Sequence, residues 1–574
     1  MNDNSEAPIV GKDRRYSRLV VIILLALVSL SGAVIIFCND KPTAYSASIV
    51  KKQTVEVSPD TLIPDTVIVP ESTSMAQVAQ VAQVAQAAQS APAIKPQIKV
   101  KDTLPMNGIL SLQDEIALLN DDYTVPFTNS FMPGKTDKIL LTDYLAKTAN
   151  GYQLNMHSSS FLTTPTYYDS SLYTSAGFNS RAFYAFNASD GKLKWGSSLS
   201  DDGPSSAVIV DSLVVFNTES CTVFALNRFS GKQVWSKWIG DPLLTHLATD
   251  GDCIYTAYPS MGFAFDPVAI RRFTHIRPSH AIAAMQAKTG DVKWQRWLDG
   301  DIMTSPIICG DEIYLTTFSG TLYKIRKSDG KILNAATLHA SSLPTIYKRK
   351  IYLAQRINDT TGKAREAIIE VDQKDFKVLR TLLIQDAPYL DYNIVSKASY
   401  KQHANTLDMG NGFGQTPDNS GWRKASKLIG QSNVSSLQNF MGSTVIADKG
   451  KLYSSFGDSL VCIDIDKGLQ MWSRKLPGDI NTAGGSLATS PLISGEYLVT
   501  VTLRGNVLIL DKSNGKLEQS FAIGASVRNQ PIIVNNRMFV PTENGKLVKV
   551  DAGKLALSDW PMFMKNNAHY MNAD

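Results

Sequence analysis

The sequence predicts an all-β protein: an eight-bladed β-propeller of four-stranded antiparallel blades, preceded by one transmembrane helix and a disordered linker. Three observations predict it. A phrase that recurs about every 40 residues closes at Trp195, Trp235, Trp294 and Trp472, and such a period marks a repeat architecture. Between these tryptophans lie short runs of alternating apolar and polar residues, separated by Gly, Asp, Asn and Ser turns, as half-buried antiparallel strands require. Ahead of them stands Leu19–Cys38, an uncharged stretch of the length that crosses a bilayer.

Residues 1–18 form a short basic N-terminus with Lys12, Arg14, Arg15 and Arg18, and Asp40 and Lys41 follow the apolar stretch 19–38. The positive-inside rule keeps that N-terminus in the cytoplasm and places the rest outside it. The expectation is a single-pass protein of the inner membrane, with the propeller in the periplasm or otherwise outside the cytoplasm. A cleaved signal peptide is the alternative, with Ser31-Gly32-Ala33 as its cleavage site. The apolar residues that continue beyond Ala33 favour an uncleaved anchor, and Cys38 lacks the small residues of a lipoprotein cleavage box. Residues 39–105 are rich in Ser, Thr, Val, Pro, Ala and Gln, with a tandem Ala-Gln-Val repeat over 76–89. They have too few bulky side chains for a core and are expected to be a flexible linker. Residues 106–135 form an irregular lead-in with a short helix around Leu110–Leu119, and 136–574 form the propeller.

Each repeat has four parts. A first run often begins Ser-Pro or Thr-Pro, a Tyr-rich second run follows a polar turn, then come an alternating third run and a tight turn with Gly. A short fourth run often ends in Trp. First runs begin near Thr164, Ser205, His246, Thr304, Leu343, Gly442, Ala488 and Asn529, which gives eight blades. Gly191, Gly231, Gly290, Gly330, Gly468 and Gly515 stand in the turn before the fourth run, where a tight hairpin needs positive φ. The Trp is large enough to cover the seam to a neighbouring blade, and its N–H must find a partner there. Four units lack it; Asn334 and Gln519 stand in its place in the fourth and seventh. The eighth unit ends at Asp551 without a fourth run, so a segment between Lys138 and His157 is expected to close the ring. Seven blades remain open if the degenerate fifth unit is something else.

Net charge is only +5 over 574 residues, with no long basic run outside the N-terminus, which argues against a nucleic-acid partner. Cys38, Cys221, Cys253, Cys309 and Cys462 are widely spaced and form no CxxC, so zinc is not expected; buried free thiols or one disulfide both fit. The histidines form no HxH or HExxH pattern, and no Gly-x-Ser-x-Gly elbow occurs.

The repeat Ala-x-Asp-x-x-x-Gly-x-x-x-Trp, with Trp560-Pro561-Met562-Phe563 near the end, resembles the pyrroloquinoline-quinone (PQQ) type propeller repeat over about residues 140–574. That family holds quinone-dependent dehydrogenases and non-catalytic scaffolds, the best known being the BamB-type outer-membrane assembly lipoprotein. The resemblance to the enzymes implies a quinone stacked between a Trp and an adjacent Cys-Cys pair, beside a calcium site. No two cysteines are adjacent here, and the repeat Asp gives way to Asn187, Asn227 and Gln286. No catalytic residue, cofactor or metal is therefore expected.

Where the repeat spacing breaks, partner contacts are expected. Trp235 to Trp294 spans 59 residues, the excess lying around 261–280 between the second and third runs of blade three. It offers Phe265, Arg271, Arg272, Phe273, Arg277 and His280; a second insertion, roughly 386–441, carries Trp422. Aromatics mixed with Arg suit a protein-binding hot spot, although a loop folded over its own blade would look the same. The expectation is a non-catalytic scaffold for protein–protein interaction in envelope or outer-membrane protein assembly. The alternatives are a quinone-dependent dehydrogenase or small-ligand sensor, and a cell-wall or carbohydrate-binding module.

Overall fold

The computed structural model describes residues 110–121, 125 and 134–569, except 178–179, 219–221, 240–245, 260–272, 359–363, 388–442, 481–484, 554 and 567–568. Their strands form eight antiparallel sheets, one per blade, and in six of them neighbours in sequence are neighbours in space. Blade 1 comprises Thr166–Tyr168, Ser171–Ser175, Ala182–Asn187 and Leu193–Leu199. Blades 2 to 7 repeat this meander with inner strands at Val208–Val210, Ala248–Thr249, Ile307–Cys309, Thr345–Tyr347, Val445–Asp448 and Leu492–Ser494. The expected first runs of all eight units are thus the starts of eight blades. Inner strands of blades 2 and 3, 3 and 4, 5 and 6, and 8 and 1 touch, which closes the ring.

Blade 8 has only three strands of its own, Ile532–Val534, Arg537–Pro541 and Lys546–Asp551. Its fourth is Gly151–Asn155, paired with Lys546–Val550, as the sequence predicted for the segment between Lys138 and His157. Two blades carry a fifth strand: Leu145–Thr148 on blade 8 and Thr136–Ile139 on blade 1.

The recurring phrase builds a joint between neighbouring blades. Its Asp or Asn makes the turn: the side chains of Asn187 and Asp511 accept from the N–H of Ser189 and Ser513, both at 2.8 Å. Its Gly takes positive φ and lies under the Trp of the preceding blade. A Cβ on Gly231 would stand 2.5 Å from the ring of Trp195, and one on Gly330 2.3 Å from Trp294. Between Gly and Trp sits a bulge residue that pairs with nothing across the ladder: Lys194, Val234, Lys293, Leu333, Leu379, Met471 and Glu518 in the first seven blades. The bulge shifts the register by one, so the next residue's side chain lies over the following blade.

Each Trp then donates its indole N–H to the carbonyl three residues before the next blade's Gly. Trp195 reaches Arg228 and Trp235 reaches Ala287, both at 2.9 Å; Trp294 reaches Lys327 at 2.9 Å and Trp472 reaches Lys512 at 3.1 Å. Where Trp is missing, other donors take over. Tyr152 of blade 8 donates to the matching Ala188 carbonyl of blade 1 at 3.0 Å, and burial raises its pKa, which keeps the phenol a donor. Arg380 of blade 5 donates to Ile465 and, at 3.5 Å, to Asp466 of blade 6. The buried carboxylate of Glu370 holds that guanidinium at 2.8 and 3.0 Å. Asn334 of blade 4 makes only a 3.4 Å contact to Lys374, where Phe376, at φ 62°, replaces the Gly.

The C-terminal segment crosses the middle of the ring. Trp560 pairs with Ile533 of blade 8, and the Pro561 carbonyl accepts from Tyr167 of blade 1 at 2.7 Å. Phe563 then lies with its ring 4.4 Å from that of His246, ahead of blade 3, and 5.3 Å from that of His569. Burial pushes His246 down to about 4 and His569 to about 3, the second also through the charge of His246, so both are neutral at pH 7.

Among the described residues no helix is long and apolar enough to cross a membrane. The stretch Leu19–Cys38, which carried that expectation, lies outside them, as does the expected linker 39–105. Cys253 and Cys462 are buried thiols outside any disulfide and Cys309 is half-buried; Cys38 and Cys221 are not described.

Candidate partner-binding surface

The lead-in to the propeller acts as a belt around its rim. Helix α1, Leu112–Asp121, starts with a capping box: Asp114 accepts from the Ser111 hydroxyl at 2.6 Å, and the Asp114 N–H donates back to it at 3.2 Å. Ile116, Leu118 and Leu119 bury against blades 3 and 4. The Asn120 amide imitates a strand partner on the outer strand of blade 4, donating to Ile332 O at 2.9 Å and accepting from Ile332 N at 2.8 Å. Arg296 of blade 3 caps the helix end through Leu119 O and Asn120 O at 3.2 and 2.8 Å. Further on, Gly134 O accepts from Gln233 and Ser236 of blade 2, both at 2.8 Å. Thr136–Ile139 then pairs along Gly196–Leu199 of blade 1, and the chain enters blade 8.

The belt also holds the blade-three loop. The carboxylate of Glu115, fully buried, accepts from the backbone N–H of Thr274 and Ile276, each at 2.6 Å, and of His275 at 3.0 Å. Three backbone donors turned onto one carboxylate fix the loop's last residues before it rejoins the blade at His280. This arrangement places the residues expected to meet a partner. Phe273 and His280 are buried, with His280 Nδ1 2.8 Å from the Ser279 hydroxyl. Arg277 is exposed. Phe265, Arg271, Arg272 and Trp422 lie outside the described residues. Nothing in the sequence marked Glu115 or Arg296: a lone Glu near a helix start and an Arg beside a Trp are ordinary surface residues until the partner backbone is known.

The belt covers blades 4, 3, 2, 1 and 8. Among the described residues no strand or helix pairs with the outer strands of blades 5, 6 and 7, at Val378–Asp386, Leu469–Lys475 and Leu517–Ala522. The blade-5 strand, at nine residues, is the longest of the outer strands. Large apolar side chains stand exposed along two of these edges: Val378, Leu379 and Ile384 on blade 5, and Leu469 and Met471 on blade 6. An open edge with apolar side chains is what natural sheets ordinarily avoid unless something binds there. Among the described residues no group of three or more His, Cys, Asp or Glu is placed to hold a metal ion.

The repeat geometry agrees with a family comparison. The model of the outer membrane protein assembly factor BamB family matches residues 152–336 and 457–560, just over half of the chain. The chain belongs to this family. It is 19% identical to the outer membrane protein assembly factor BamB of Yersinia pestis over 56% of this chain and 78% of that protein. It is 23% identical to the BamB of Shewanella oneidensis over 48% of this chain and 64% of that protein. A tetrathionate hydrolase of Acidithiobacillus ferrooxidans matches a shorter stretch, 25% identical over 31% of this chain and 37% of the enzyme. Among solved structures, BamB of Moraxella catarrhalis aligns with 72% of this chain and 98% of its own, at 14% identity and a TM-score of 0.45.

These findings correct the expected location. The inner-membrane, single-pass placement has no helix to support it among the described residues, and the matched BamB relatives are named for the outer membrane, not the inner one.

Proposed function

We propose that the chain is a non-catalytic scaffold in envelope protein assembly and that it holds polypeptide partners at its rim. The observation that carries this reading is the uneven belt. Among the described residues the chain caps or pairs the outer edges of five blades and leaves three without such cover, two of them with exposed apolar side chains. Edge strands bind extended segments by main-chain hydrogen bonds, with side-chain pockets adding specificity. Thr136–Ile139 on blade 1 is such an addition made within one molecule. The names of the matched relatives support assembly as the setting. Arg277, on the loop that Glu115 fixes, is a second contact point, and Phe265, Arg271, Arg272 and Trp422 remain proposed contacts from the sequence.

The test is photo-crosslinking in intact cells from position 384 on blade 5 and position 277 on the loop. The expected result is a crosslinked polypeptide at either position, identified as a component or client of envelope protein assembly. Crosslinks to no polypeptide from both positions would overturn the proposal.

A further inference from the structure

The open edge of blade 5 has a direction. On blade 1 the chain covers its own rim with an antiparallel strand: Thr136–Ile139 lies on Gly196–Leu199, beyond the bulge at Lys194. The added segment then continues to the hairpin end of that outer strand, where the Tyr144 hydroxyl accepts from Leu193 N at 2.7 Å. The cover thus enters at the far end of the outer strand and leaves at its hairpin end. Blade 5 offers the matching stretch. Beyond its bulge at Leu382, Leu383–Asp386 pairs inward with Arg365–Ile368 and is as long as Gly196–Leu199.

Charge distinguishes the two ends of this edge. At the hairpin end Lys348, Arg349, Lys374 and Lys377 are exposed, and none forms an ion pair with another described residue. Two carboxylates share that end, both turned into the hairpin: Asp372 accepts from Lys374 N at 2.7 Å and Asp375 from Lys377 N at 3.0 Å. A third, Glu370, is buried between Lys350 and Arg380 and answers one of those two charges. The hairpin end is therefore cationic. The flanking turns leave it so, since Asp329 of blade 4 pairs with Arg326 at 2.9 Å and Asp466 of blade 6 is followed by Lys467. At the far end stand the exposed Asp386 and Arg365, 3.5 Å apart. Blade 6 is arranged the other way, with Arg474 and Lys475 at the far end of its outer strand, and blade 7 pairs Lys516 with Glu518 at 3.1 Å.

Resting on the rim reading above, we infer that the blade-5 edge takes an extended polypeptide segment in one orientation, antiparallel to Leu383–Asp386, with carboxylates on the segment's C-terminal side. An antiparallel segment brings its C-terminal side to the hairpin, where four exposed cations face two carboxylates already held by backbone N–H groups. The reverse orientation would carry those carboxylates to Asp386 and leave the lysines unanswered. Apolar side chains of the segment lie over Ile384 and Leu379, which stand exposed on the edge. Rim charge of this kind selects orientation and partner more than it adds affinity. Asp and Glu side chains or the terminus of the partner chain present the same group.

The experiment is photo-crosslinking of the full chain in intact cells from positions 384 and 378, with the captured sites mapped by mass spectrometry. The expected result is one polypeptide whose 378 site lies roughly five to eight residues C-terminal to its 384 site, as an extended chain requires, with Asp, Glu or the chain terminus at or after it. The mapped sequence tells side chains from terminus. Lys374→Glu with Lys377→Glu should lower capture from 384 about tenfold and leave capture from 277 and the melting temperature unchanged, whereas Lys374→Arg with Lys377→Arg should keep it. The reverse order of the two sites, captured segments without carboxylates, or capture indifferent to charge reversal would each overturn the inference and leave the scaffold reading standing. Crosslinks from 384 to this chain's own residues alone, or to nothing, would also overturn it; no polypeptide from either 384 or 277 removes both readings.

Discussion

The joint between blades 1 and 2 and the joint between blades 5 and 6 perform one task with different chemistry. In the first, Trp195 covers the turn of blade 2 and donates one N–H to Arg228 O. In the second, Arg380 reaches the equivalent Ile465 O, with buried Glu370 balancing its charge. What persists is neither the Trp nor the Asp of the repeat. In six of the eight joints it is a donor aimed at the carbonyl three residues before a turn residue of positive φ. A carbonyl buried between two blades without a donor is costly, so the position tolerates any side chain that can bring one. The apolar joint gains from buried ring area; the ionic one depends on a second residue ten positions away.

Four measurements would break or sharpen that contrast. Trp195→Ala, at a side chain 4% exposed, should lose about 4 kcal/mol in chemical denaturation. A loss under 1 kcal/mol would mean the ring covers the seam without holding it. Acid should bypass the Trp joints, which have no titrating group in their tryptophans, and act on the C-terminal segment. His246 and His569 have folded pKa values of about 4 and 3, below the ordinary 6.5. The unfolded chain therefore takes up protons first as pH falls. Stability present above pH 6.5 is lost on the way down towards pH 4, by about 4 kcal/mol for the pair between pH 7 and 5. A His246→Phe, His569→Phe double variant should flatten that slope; an unchanged slope would place the acid sensitivity elsewhere.

Glu370→Gln should cost about 2 kcal/mol, since it leaves Arg380 and Lys350, each about one-third exposed, beside a neutral amide. The loss should shrink in Arg380→Met, a coupling that a double-mutant cycle would detect. The smallest effect separates the joints most cleanly. Gly330→Ala would put a methyl against the rigid ring of Trp294, whereas Gly468→Ala would meet the far end of Arg380 at 2.6 Å, which can swing away. Both have positive φ, so the Arg joint should lose about 1 kcal/mol and the Trp joint about twice that. Equal losses would mean backbone strain alone sets the glycine.

The blades were legible because their signals are local. Gly-x-x-x-Trp spells out a turn, a bulge and a joint within a few residues, and the missing fourth strand of blade 8 was visible as an incomplete unit. The Arg380–Glu370 joint was not legible, because a buried ion pair across a hairpin looks like two ordinary strand residues. The belt was hidden for the same reason: Asn120 and Glu115 act on backbone groups 212 and 159 residues away, and the Gly134 carbonyl on side chains 99 and 102 residues away. Among the proposed contact residues, the loop's mixture of aromatics and Arg did not separate Phe273, which packs inside, from Arg277, which does not.

Closure of blade 8 has a consequence for the order in which the molecule is made. Gly151–Asn155 leaves the ribosome before any complete blade, yet its neighbour Lys546–Asp551 follows about 390 residues later. At ordinary translation rates the first strand waits roughly 20 to 80 s with one edge open. Blades 1 to 7 can each fold as they emerge, so the wait falls on one strand and not on the whole disc. During that interval the nascent chain is an open arc, and any strand-shaped competitor must be kept from the vacancy until the last strand arrives.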